Sequence, residues 1–456
     1  MSFKPDMVWG AATASYQIEG GWDADGKGPS VWDRMARWPG KVKFGDTGNV
    51  SSDHYHRYPE DVAIMKEIGL QAYRFSLSWP RIMPEGKGAV NQAGLDFYSR
   101  LVDSLLETGI TPWVTLFHWD YPLHLFYEGG WMNSASPQWF EDYTEVVVKA
   151  LGDRVKHWIT HNEPQMFIGL GHEVGEHAPG MKHPRSDLAR MIHHTLLAHG
   201  KSCRKIREHV DGAQIGWATA NGAFQVADPS DEGVVAQAKA DLFDYTETGV
   251  MAFQPAVWND PAFFGKYPEN FLRLHGQSLP KGWEEDMAAI QHPLDFSGFN
   301  TYNAARHYFR NEQGEVAFEE PWHFGNGFPR THFQWAITPE CLYWTAVAFY
   351  ERYQAPIAIL ENGLSGADWV HTDGKCHDYH RIDFLTRYLS NLRRAAKDGV
   401  DVAAYFQWSL LDNFEWAEGY NHRFGLVHVD YETLKRTPKD SAYWYSEVIK
   451  SNGTNF

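Results

Sequence analysis

Apolar runs alternate with amphipathic stretches along the chain, and glycines separate them. In the most regular unit, Asn91 precedes a stretch with apolar residues at helical spacing, Gly109 ends that stretch, and the apolar run Thr111–Phe117 follows. The helical spacing predicts an amphipathic helix capped by Asn91, and the short apolar run predicts a buried strand. The same order recurs before the predicted strands Ala72–Leu77, His157–Thr160 and Val402–Gln407, and a predicted helix that leads to Pro356 precedes the strand Ile357–Leu360.

Proline-bearing turns mark the predicted starts of three of these helices. They are Tyr58-Pro59, Ser136-Pro137 and Thr338-Pro339. Proline suits the first position of a helix because the N–H group it lacks would have no partner there. Glycine is common just past the end of a helix, so we predict further helix ends at Gly69, Gly152 and Gly399.

Three more apolar runs bring the number of predicted strands to eight, namely Met7–Ala12, Gln214–Thr219 and Phe296–Phe299. Runs that are apolar throughout are typical of a parallel sheet buried on both faces. Eight of them alternating with helices favour a (β/α)₈ barrel over a doubly wound sheet. We therefore predict an α/β fold in which residues 1–456 form a single TIM-barrel domain. The long irregular stretches Trp22–Val50 and Asn303–Ala336 are predicted to be loops over the active face.

Polar side chains lie at or just past the ends of seven of these strands. The carboxyl ends of barrel strands converge on one site, so these side chains are expected to meet there. They are Gln17 after the first predicted strand, Arg74 on the second, His118 and Trp119 after the third, Asn162 and Glu163 after the fourth, Asn300 and Tyr302 after the sixth, Glu361 after the seventh and Trp408 after the eighth.

Two of these residues are glutamates at the ends of apolar strands, where an unpaired charge is costly. Paired carboxyl groups are typical of glycosidic bond cleavage, and a separation of about 5–5.5 Å supports retention through a covalent intermediate. We predict that Glu361 is the nucleophile, kept ionised by Arg74. The charge of Glu361 then keeps Glu163 protonated as the general acid, and Glu163 becomes the base once Glu361 is glycosylated. Asn162 either binds a sugar hydroxyl group or belongs to a loop turn.

The segment Trp408–Trp416 is rich in indoles and carboxylates directly after the last predicted strand. An indole face packs well on the C–H face of a sugar ring. A carboxylate can accept hydrogen bonds from two hydroxyl groups. Trp408, Glu415 and Trp416 are therefore predicted to form a sugar pocket. A second interpretation, compatible with the first, is a helix N-terminus with Asp412 as its cap.

Charge and cysteine content narrow the class of protein. A net charge of −17 without a basic run argues against nucleic-acid and anionic-membrane partners and fits a neutral small-molecule substrate. Three scattered cysteines without a CxxC pair predict neither a disulfide framework nor a zinc ribbon. No signal-peptide pattern and no membrane-length apolar run is present, so a cytoplasmic protein is expected. The sequence leaves open whether the protein is a homo-oligomer.

No metal and no cofactor are predicted. His172 and His177 are five residues apart, whereas a zinc-binding helix needs the second histidine four residues after the first, so we predict a loop here. Asp23-Ala24-Asp25-Gly26 has its glycine too early for a calcium loop. Three further histidines lie in a helical run and are predicted to be packing or surface residues, namely His193, His194 and His199.

Six segments, taken together, carry a family resemblance. They are Phe3–Gly20, Tyr73–Ser76, Leu116–Asp120, Asn162–Pro164, Glu361–Gly363 and Trp408–Trp416. On these segments the chain resembles glycoside hydrolase family 1, the β-glucosidase family, from end to end. The resemblance implies a (β/α)₈ barrel that hydrolyses β-glycosides with retention and without a metal or cofactor. It also implies Glu163 as acid/base and Glu361 as nucleophile, in agreement with the electrostatic interpretation.

The resemblance implies roles for other residues as well. Tyr302 would hydrogen-bond the nucleophile, and Trp335 would line the leaving-group side. The substrate-binding residues expected from the resemblance or from their positions after strands are Gln17, His118, Trp119, Asn162, Asn300, Trp335, Trp408, Glu415 and Trp416.

Two residues depart from the family pattern. Leu360 precedes the nucleophile where the family usually has threonine, and a change of packing is expected there. Gln165 follows Asn-Glu-Pro where many members have tryptophan, and it is expected to reshape the leaving-group side. Glu415 argues against the 6-phosphoglycoside branch because a carboxylate repels phosphate, and Glu163 argues against the thioglucoside-cleaving branch, which lacks the acid.

The sequence therefore predicts an exo-acting β-glucosidase that removes terminal β-glucosyl residues from β-glucosides and cello-oligosaccharides. Cleavage of β-galactosyl and β-fucosyl residues is expected as a side activity. One alternative is a transglycosidase, in which a sugar or alcohol replaces water at the same intermediate. The other is a non-catalytic sugar-binding barrel, against which the intact carboxyl pair argues.

Overall fold

Eight parallel strands close into a barrel in the computed structural model, which describes residues 3–220, 222–325 and 327–456. The strands are β1 (Val8–Ala12), β2 (Ala72–Ser76), β3 (Thr111–Phe117), β4 (His157–Asn162), β5 (Gln214–Ala220), β6 (Ser297–Asn300), β7 (Ile357–Asn362) and β8 (Val402–Trp408). Each strand pairs with its neighbours in the sequence, and β1 pairs with β8 to close the ring. The predicted (β/α)₈ barrel is confirmed.

Helices follow the strands and form the outer layer of the barrel. The longer ones are His54–Ile68, Gln92–Glu107, Ser136–Leu151, Arg185–His209, Glu232–Phe243, Pro255–Phe264, Trp283–Ile290, Glu340–Tyr353, Tyr379–Lys397 and Asp440–Lys450. Shorter α-helices are Ser15–Ile18, Val31–Ala36, Trp79–Ile82, Leu123–Tyr127 and Glu269–His275. Within the described ranges, none of the helices combines the length and the apolar character needed to span a membrane.

Large and small side chains interlock inside the barrel. Trp113, Phe296 and Phe406 pack together, with Phe406 lying where a side chain on Gly10 would have to go. Leu360 fills the equivalent space over Gly298, where an added Cβ would lie 2.5 Å from the leucine Cδ1. Because protein interiors are close-packed, Leu360 and Gly298 are matched in size. Leu360 is therefore a packing residue of the barrel interior.

The predicted helix ends agree with the structure better than the predicted helix starts. The helix Ser136–Leu151 begins where predicted, and Gly69 ends its helix with a φ of 81°. However, the helix that was predicted to start at Tyr58 begins at His54, so Pro59 lies inside it. The Asp61 carboxylate contacts His54 and Arg436 at 2.7 Å and 2.9 Å, which holds the extra turn in place.

Three segments predicted to be loops contain regular structure. Trp22–Val50 includes the helix Val31–Ala36, which Ser30 and Asp33 begin with reciprocal hydrogen bonds to each other's backbone. Asn303–Ala336 includes two antiparallel strands, Arg306–Arg310 and Val316–Glu319, of which the first pairs with Phe224–Val226. The residues around His172 belong to a π-helix, Met166–Val174, so the predicted loop is wrong for that part. The other short pair of strands, Val427–Val429 and Arg436–Pro438, follows β8.

Candidate active site

Two buried carboxyl groups lie at the carboxyl end of the barrel. Glu361 is the next-to-last residue of β7, and Glu163 directly follows β4. The backbone N–H of Glu163 donates to the carbonyl oxygen of Ala218 on β5 at 2.7 Å, which holds the residue at a φ of 43°. Positive φ is uncommon outside glycine and costs about 1–3 kcal/mol when the surroundings impose it. Trp119 and Trp416 share this conformation, with φ of 77° and 50°.

The Glu361 carboxylate is held by Arg74 and Tyr302, and Asn300 also hydrogen-bonds to it. Arg74 Nη1 donates to Glu361 Oε1 at 2.6 Å, and the Tyr302 hydroxyl donates to Oε2 at 2.7 Å. Arg74 is itself fixed, because it also donates to Asn162 Oδ1 at 2.6 Å and to Thr115 Oγ1 at 3.2 Å. The hydrogen bonds to Glu361 stabilise its ionised form, and those from Arg74 to Asn162 and Thr115 hold the guanidinium in place.

The Glu163 carboxyl group has a weaker partner. Asn300 Nδ2 donates to Glu163 Oε1 at 2.9 Å and to Asn162 Oδ1 at 3.1 Å. Arg74 is directed at Glu361, so Glu163 has a neutral amide where Glu361 has a guanidinium. The two carboxyl groups therefore lie in unequal electrostatic surroundings.

The pKa values reflect this inequality. Burial and the neighbouring charge of Glu361 raise the pKa of Glu163 to about 8. Burial also raises the pKa of Glu361 above its ordinary value, but Arg74 and Tyr302 oppose that rise. When two carboxyl groups share a site, one proton is held between them. At neutral pH we expect that proton on Glu163 and the negative charge on Glu361.

Unused hydrogen-bonding atoms face the same region. Asn162 Nδ2 donates to His118 Nε2 at 3.0 Å, which assigns the hydrogen of this imidazole to Nδ1. Burial and then Arg74 hold the pKa of His118 well below its usual range, so the ring is neutral. Among the described residues, His118 Nδ1, Gln17 Oε1 and Asn300 Oδ1 are buried without a protein partner. Buried polar atoms of this kind are costly unless a ligand or water satisfies them.

Glu415 lies beside Gln17. Its Oε2 accepts from Gln17 Nε2 and from Asn413 Nδ2, each at 3.2 Å. Burial raises the pKa of Glu415 to about 8, although both hydrogen bonds oppose the rise. When protonated, Glu415 can both donate to and accept from hydroxyl groups, and when ionised it only accepts.

Aromatic rings form a wall of the site. The His118 ring stacks on Trp408 and Trp416, with centroids 5.9 Å and 5.8 Å apart. Trp119 packs on Trp416 at 4.6 Å and donates its indole N–H to the Asn162 carbonyl oxygen at 2.8 Å. The last of the predicted residues, Trp335, lies 5.3 Å from the Tyr302 ring. All thirteen predicted site residues therefore contact at least one other member of the set.

Asn162 is the last residue of β4, and its side chain is fully buried. Its amide contacts Arg74, Asn300 and His118, so it connects the surroundings of both glutamates. The loop-turn interpretation of Asn162 is wrong. The helix-cap interpretation of Asp412 is also wrong, because this carboxylate accepts from Lys439 and Arg423 at 2.8 Å and 2.6 Å in a buried ion network.

Of the histidines set aside in the sequence, His177 packs its ring 5.5 Å from that of Trp119. His193, His194 and His199 are buried in the helix Arg185–His209. Burial lowers the pKa of both His172 and His177 to about 4. Over the parts of the chain that the structure covers, no group of three or more histidine, cysteine, aspartate or glutamate side chains is placed to hold a metal ion.

Three residues that support the site were not predicted. Thr115 accepts from Arg74, Asn413 donates to Glu415, and the Tyr388 hydroxyl donates to the Tyr302 carbonyl oxygen at 2.8 Å. Asn413 lies within the segment Trp408–Trp416, so its position was a usable signal. Tyr388 belongs to the helix Tyr379–Lys397 and has no local sequence pattern that points to the site.

Comparison with known proteins agrees with this geometry. The profile described as glycosyl hydrolase family 1 matches residues 1–454. A "1,4-beta-D-glucan glucohydrolase" from Thermotoga neapolitana is 46% identical over 453 residues, which is 99% of each chain. "Beta-glucosidase A" from Thermotoga maritima is 45% identical over 453 residues, covering 99% of this chain and 98% of that protein.

Solved structures give the same result. The structure of "Beta-glucosidase from Thermotoga maritima in complex with glucoimidazole" superposes with a TM-score of 0.88 at 44% identity, and the match covers 99% of each chain. A second structure, "Family 1 b-glucosidase from Thermotoga maritima", also has a TM-score of 0.88 at 44% identity, and the match covers 100% of each chain. This chain belongs to glycosyl hydrolase family 1, whose members cleave glycosidic bonds.

Proposed function

We propose that this chain is a retaining, exo-acting β-glucosidase. It would remove terminal non-reducing β-glucosyl residues from β-glucosides and cello-oligosaccharides, and more slowly β-galactosyl and β-fucosyl residues. The observation that carries the proposal is the pair of buried carboxyl groups in unequal surroundings, with Arg74 and Tyr302 on Glu361 and Asn300 on Glu163. The names of the relatives from Thermotoga support glucose as the preferred sugar.

In the first step, a Glu361 oxygen attacks the anomeric carbon while the bond to the leaving oxygen breaks. Glu163 transfers its proton to that oxygen, so the leaving group departs as a neutral alcohol. The new bond neutralises Glu361, and Glu163 is left with the negative charge. Arg74 holds the attacking carboxylate in place throughout, because three of its nitrogens are bonded within the site.

In the second step, water replaces the leaving group. Glu163 is now ionised and takes a proton from the water, whose oxygen attacks the anomeric carbon as the bond to Glu361 breaks. Both carboxyl groups return to their starting protonation states. Each step inverts the anomeric carbon, so the product keeps the β configuration of the substrate.

The sugar itself would be bound by the unused polar atoms and the aromatic wall. Gln17, Glu415 and His118 offer donors and acceptors to the hydroxyl groups, and Trp408 and Trp416 offer apolar faces. A sugar whose 4-hydroxyl group is axial, rather than equatorial as in glucose, would keep most of these contacts. This supports the galactosyl and fucosyl side activities.

We expect the β-glucoside of nitrophenol to be hydrolysed faster than the galactoside and fucoside, and the glucoside 6-phosphate not to be hydrolysed. A phosphate near Glu415 would meet a carboxyl group rather than a cation. Nitrophenol release measures the rates, and NMR of the first sugar product gives its anomer. Initial release of α-glucose would contradict retention, and cleavage of the phosphorylated substrate alone would contradict the proposed sugar preference.

We expect Tyr302→Phe to shift the acidic limb of the pH profile of kcat/KM to higher pH by about one pH unit. The Tyr302 hydroxyl donates to the charged form of Glu361, so its removal raises the pKa of that carboxyl group. The nucleophile then ionises only at higher pH, while the basic limb still reports loss of the Glu163 proton. Tyr343→Phe, remote from the site, is the control. An unchanged acidic limb would contradict the proposed contact.

A further inference from the structure

A cavity of about 280 Å³ lies beside the proposed active site. Its wall includes Gln165, Ala220 at the end of β5, and side chains of the helix Glu232–Phe243 and of the strand Arg306–Arg310. Gln165 is buried, and its amide makes two hydrogen bonds to the backbone of Ala220, at 2.9 Å and 3.2 Å. We call this space the Gln165 cavity.

The Gln165 cavity lies on the side of the site that carries the proposed acid. Gln165 is two residues beyond Glu163 in the sequence. Ala220 lies opposite Asn300 in the barrel, and Asn300 donates to Glu163. Because the acid protonates the leaving oxygen, the leaving group must lie on the Glu163 side of the sugar.

The wall of the cavity is mainly apolar, but most of the charged side chains in it are acidic. It contains the carboxylates of Asp241, Asp244 and Glu320 and one guanidinium, that of Arg306. Nearby cations are engaged elsewhere, since Lys239 pairs with Glu351 at 2.6 Å and Arg310 pairs with Asp231 at 2.5 Å.

Arg306 also has contacts of its own. Its guanidinium donates to the Tyr308 hydroxyl at 3.2 Å, which in turn donates to Asp241 at 3.1 Å. The same guanidinium lies 4.6 Å from the centre of the Phe318 ring. The formal charge of the cavity wall is therefore −2, from three carboxylates and one guanidinium.

We propose that the Gln165 cavity binds the distal part of the leaving group and selects leaving groups that carry an amine over those that carry a carboxylate. The wall offers acceptors for hydroxyl and ammonium groups, and its negative charge repels an anion. The partly exposed side chains of Met166 and Phe253, which also line the cavity, offer the apolar contact that a sugar or alkyl chain needs. The inference rests on the proposed function, because it places the leaving group next to Glu163.

Three alkyl β-glucosides of equal length test the proposal: hexyl, 6-aminohexyl and 5-carboxypentyl. Their leaving oxygens are primary alcohols of similar acidity, so differences in kcat/KM report the far end of the chain. With the unsubstituted enzyme we expect the amine to be preferred over the carboxylate by about tenfold or more. Asp241→Asn combined with Asp244→Asn should reduce that preference by about tenfold, since Asp241 is half-buried, Asp244 is exposed, and a charge in such surroundings contributes about threefold.

The control is Glu232→Gln, which removes one negative charge from the same helix without altering the cavity. This variant should leave the ratio of kcat/KM for the amine substrate to kcat/KM for the carboxylate substrate unchanged. An effect of overall charge would instead lower that ratio. If the double variant of Asp241 and Asp244 fails to fold, Asp244→Asn combined with Glu320→Gln replaces it, because Asp244 and Glu320 are both exposed. Equal rates on the two charged substrates, or an equal effect of Glu232→Gln, would overturn the proposal. Absence of nitrophenyl glucoside hydrolysis would instead overturn the proposed function.

Discussion

Replacement of Glu361 by alanine is expected to reduce kcat for β-glucoside hydrolysis by roughly five orders of magnitude, or ~7 kcal/mol. The alanine has no oxygen to attack the anomeric carbon, and Arg74 loses the carboxylate that it holds at 2.6 Å. The site should still bind the sugar, because Gln17, His118 and Glu415 are unaffected. The loss should therefore appear in kcat rather than in sugar affinity.

Azide distinguishes loss of a nucleophile from general damage to the site. It is small enough to occupy the space left by the Glu361 carboxylate and to attack the sugar from that side. The product is the α-glucosyl azide, because a single displacement inverts the anomeric carbon. NMR identifies the anomer, and the exposed variant Glu312→Ala serves as the control for substitution itself. Full activity of Glu361→Ala without azide would contradict the assignment.

Replacement of Glu163 by alanine should produce a loss that depends on the leaving group. Alkyl glucosides need a proton on the departing oxygen, and their rate of cleavage should fall by about 10²–10⁴-fold. Dinitrophenyl glucoside has a leaving group that departs as an anion, so its first step should be nearly unaffected. The second step is slowed because no base activates water, and the glycosyl-enzyme should accumulate as a measurable burst.

Azide gives the opposite stereochemical result with this variant. It attacks the glycosyl-enzyme from the side that Glu163 occupied, so two displacements give the β-glucosyl azide. Asn300→Ala is a useful comparison, because it removes the donor to Glu163 at 2.9 Å while keeping the carboxyl group. An α-azide from Glu163→Ala and a β-azide from Glu361→Ala would reverse the two roles.

Local patterns predicted the strands and the helix ends but not every helix start. All eight strands are found within a few residues of the predicted ranges, because a buried parallel strand needs an uninterrupted apolar run. The start at His54 depends on Arg436, which lies 375 residues away from the Asp61 that it contacts. A contact of that range leaves no signal in the sequence around Tyr58.

The grouping of the site residues could be predicted because it also follows from the positions of the strands. Strand ends converge in a barrel, so positions such as Arg74, Asn162 and Asn300 could be placed together without knowledge of their contacts. The contact of Arg74 with Glu361 was expected, but the contacts of Asn162 were not, because Asn162 connects Arg74 and His118 only through tertiary geometry. Asp412 illustrates the limit, since its partner Lys439 is on a different segment and an N-cap was an equally good local interpretation.

The closure of the barrel between β1 and β8 has a consequence for biosynthesis. Val8 pairs opposite Ala404 and Ala12 opposite Trp408, while Tyr445 donates to the Gly10 carbonyl oxygen. On the ribosome, both β1 and the Glu361-bearing β7 therefore have an unpaired edge until residues 402–408 have emerged. Exposed parallel edges invite association with other chains. A chain that stops before β8 should aggregate rather than accumulate as a weaker enzyme, so the cell obtains activity only from nearly complete chains.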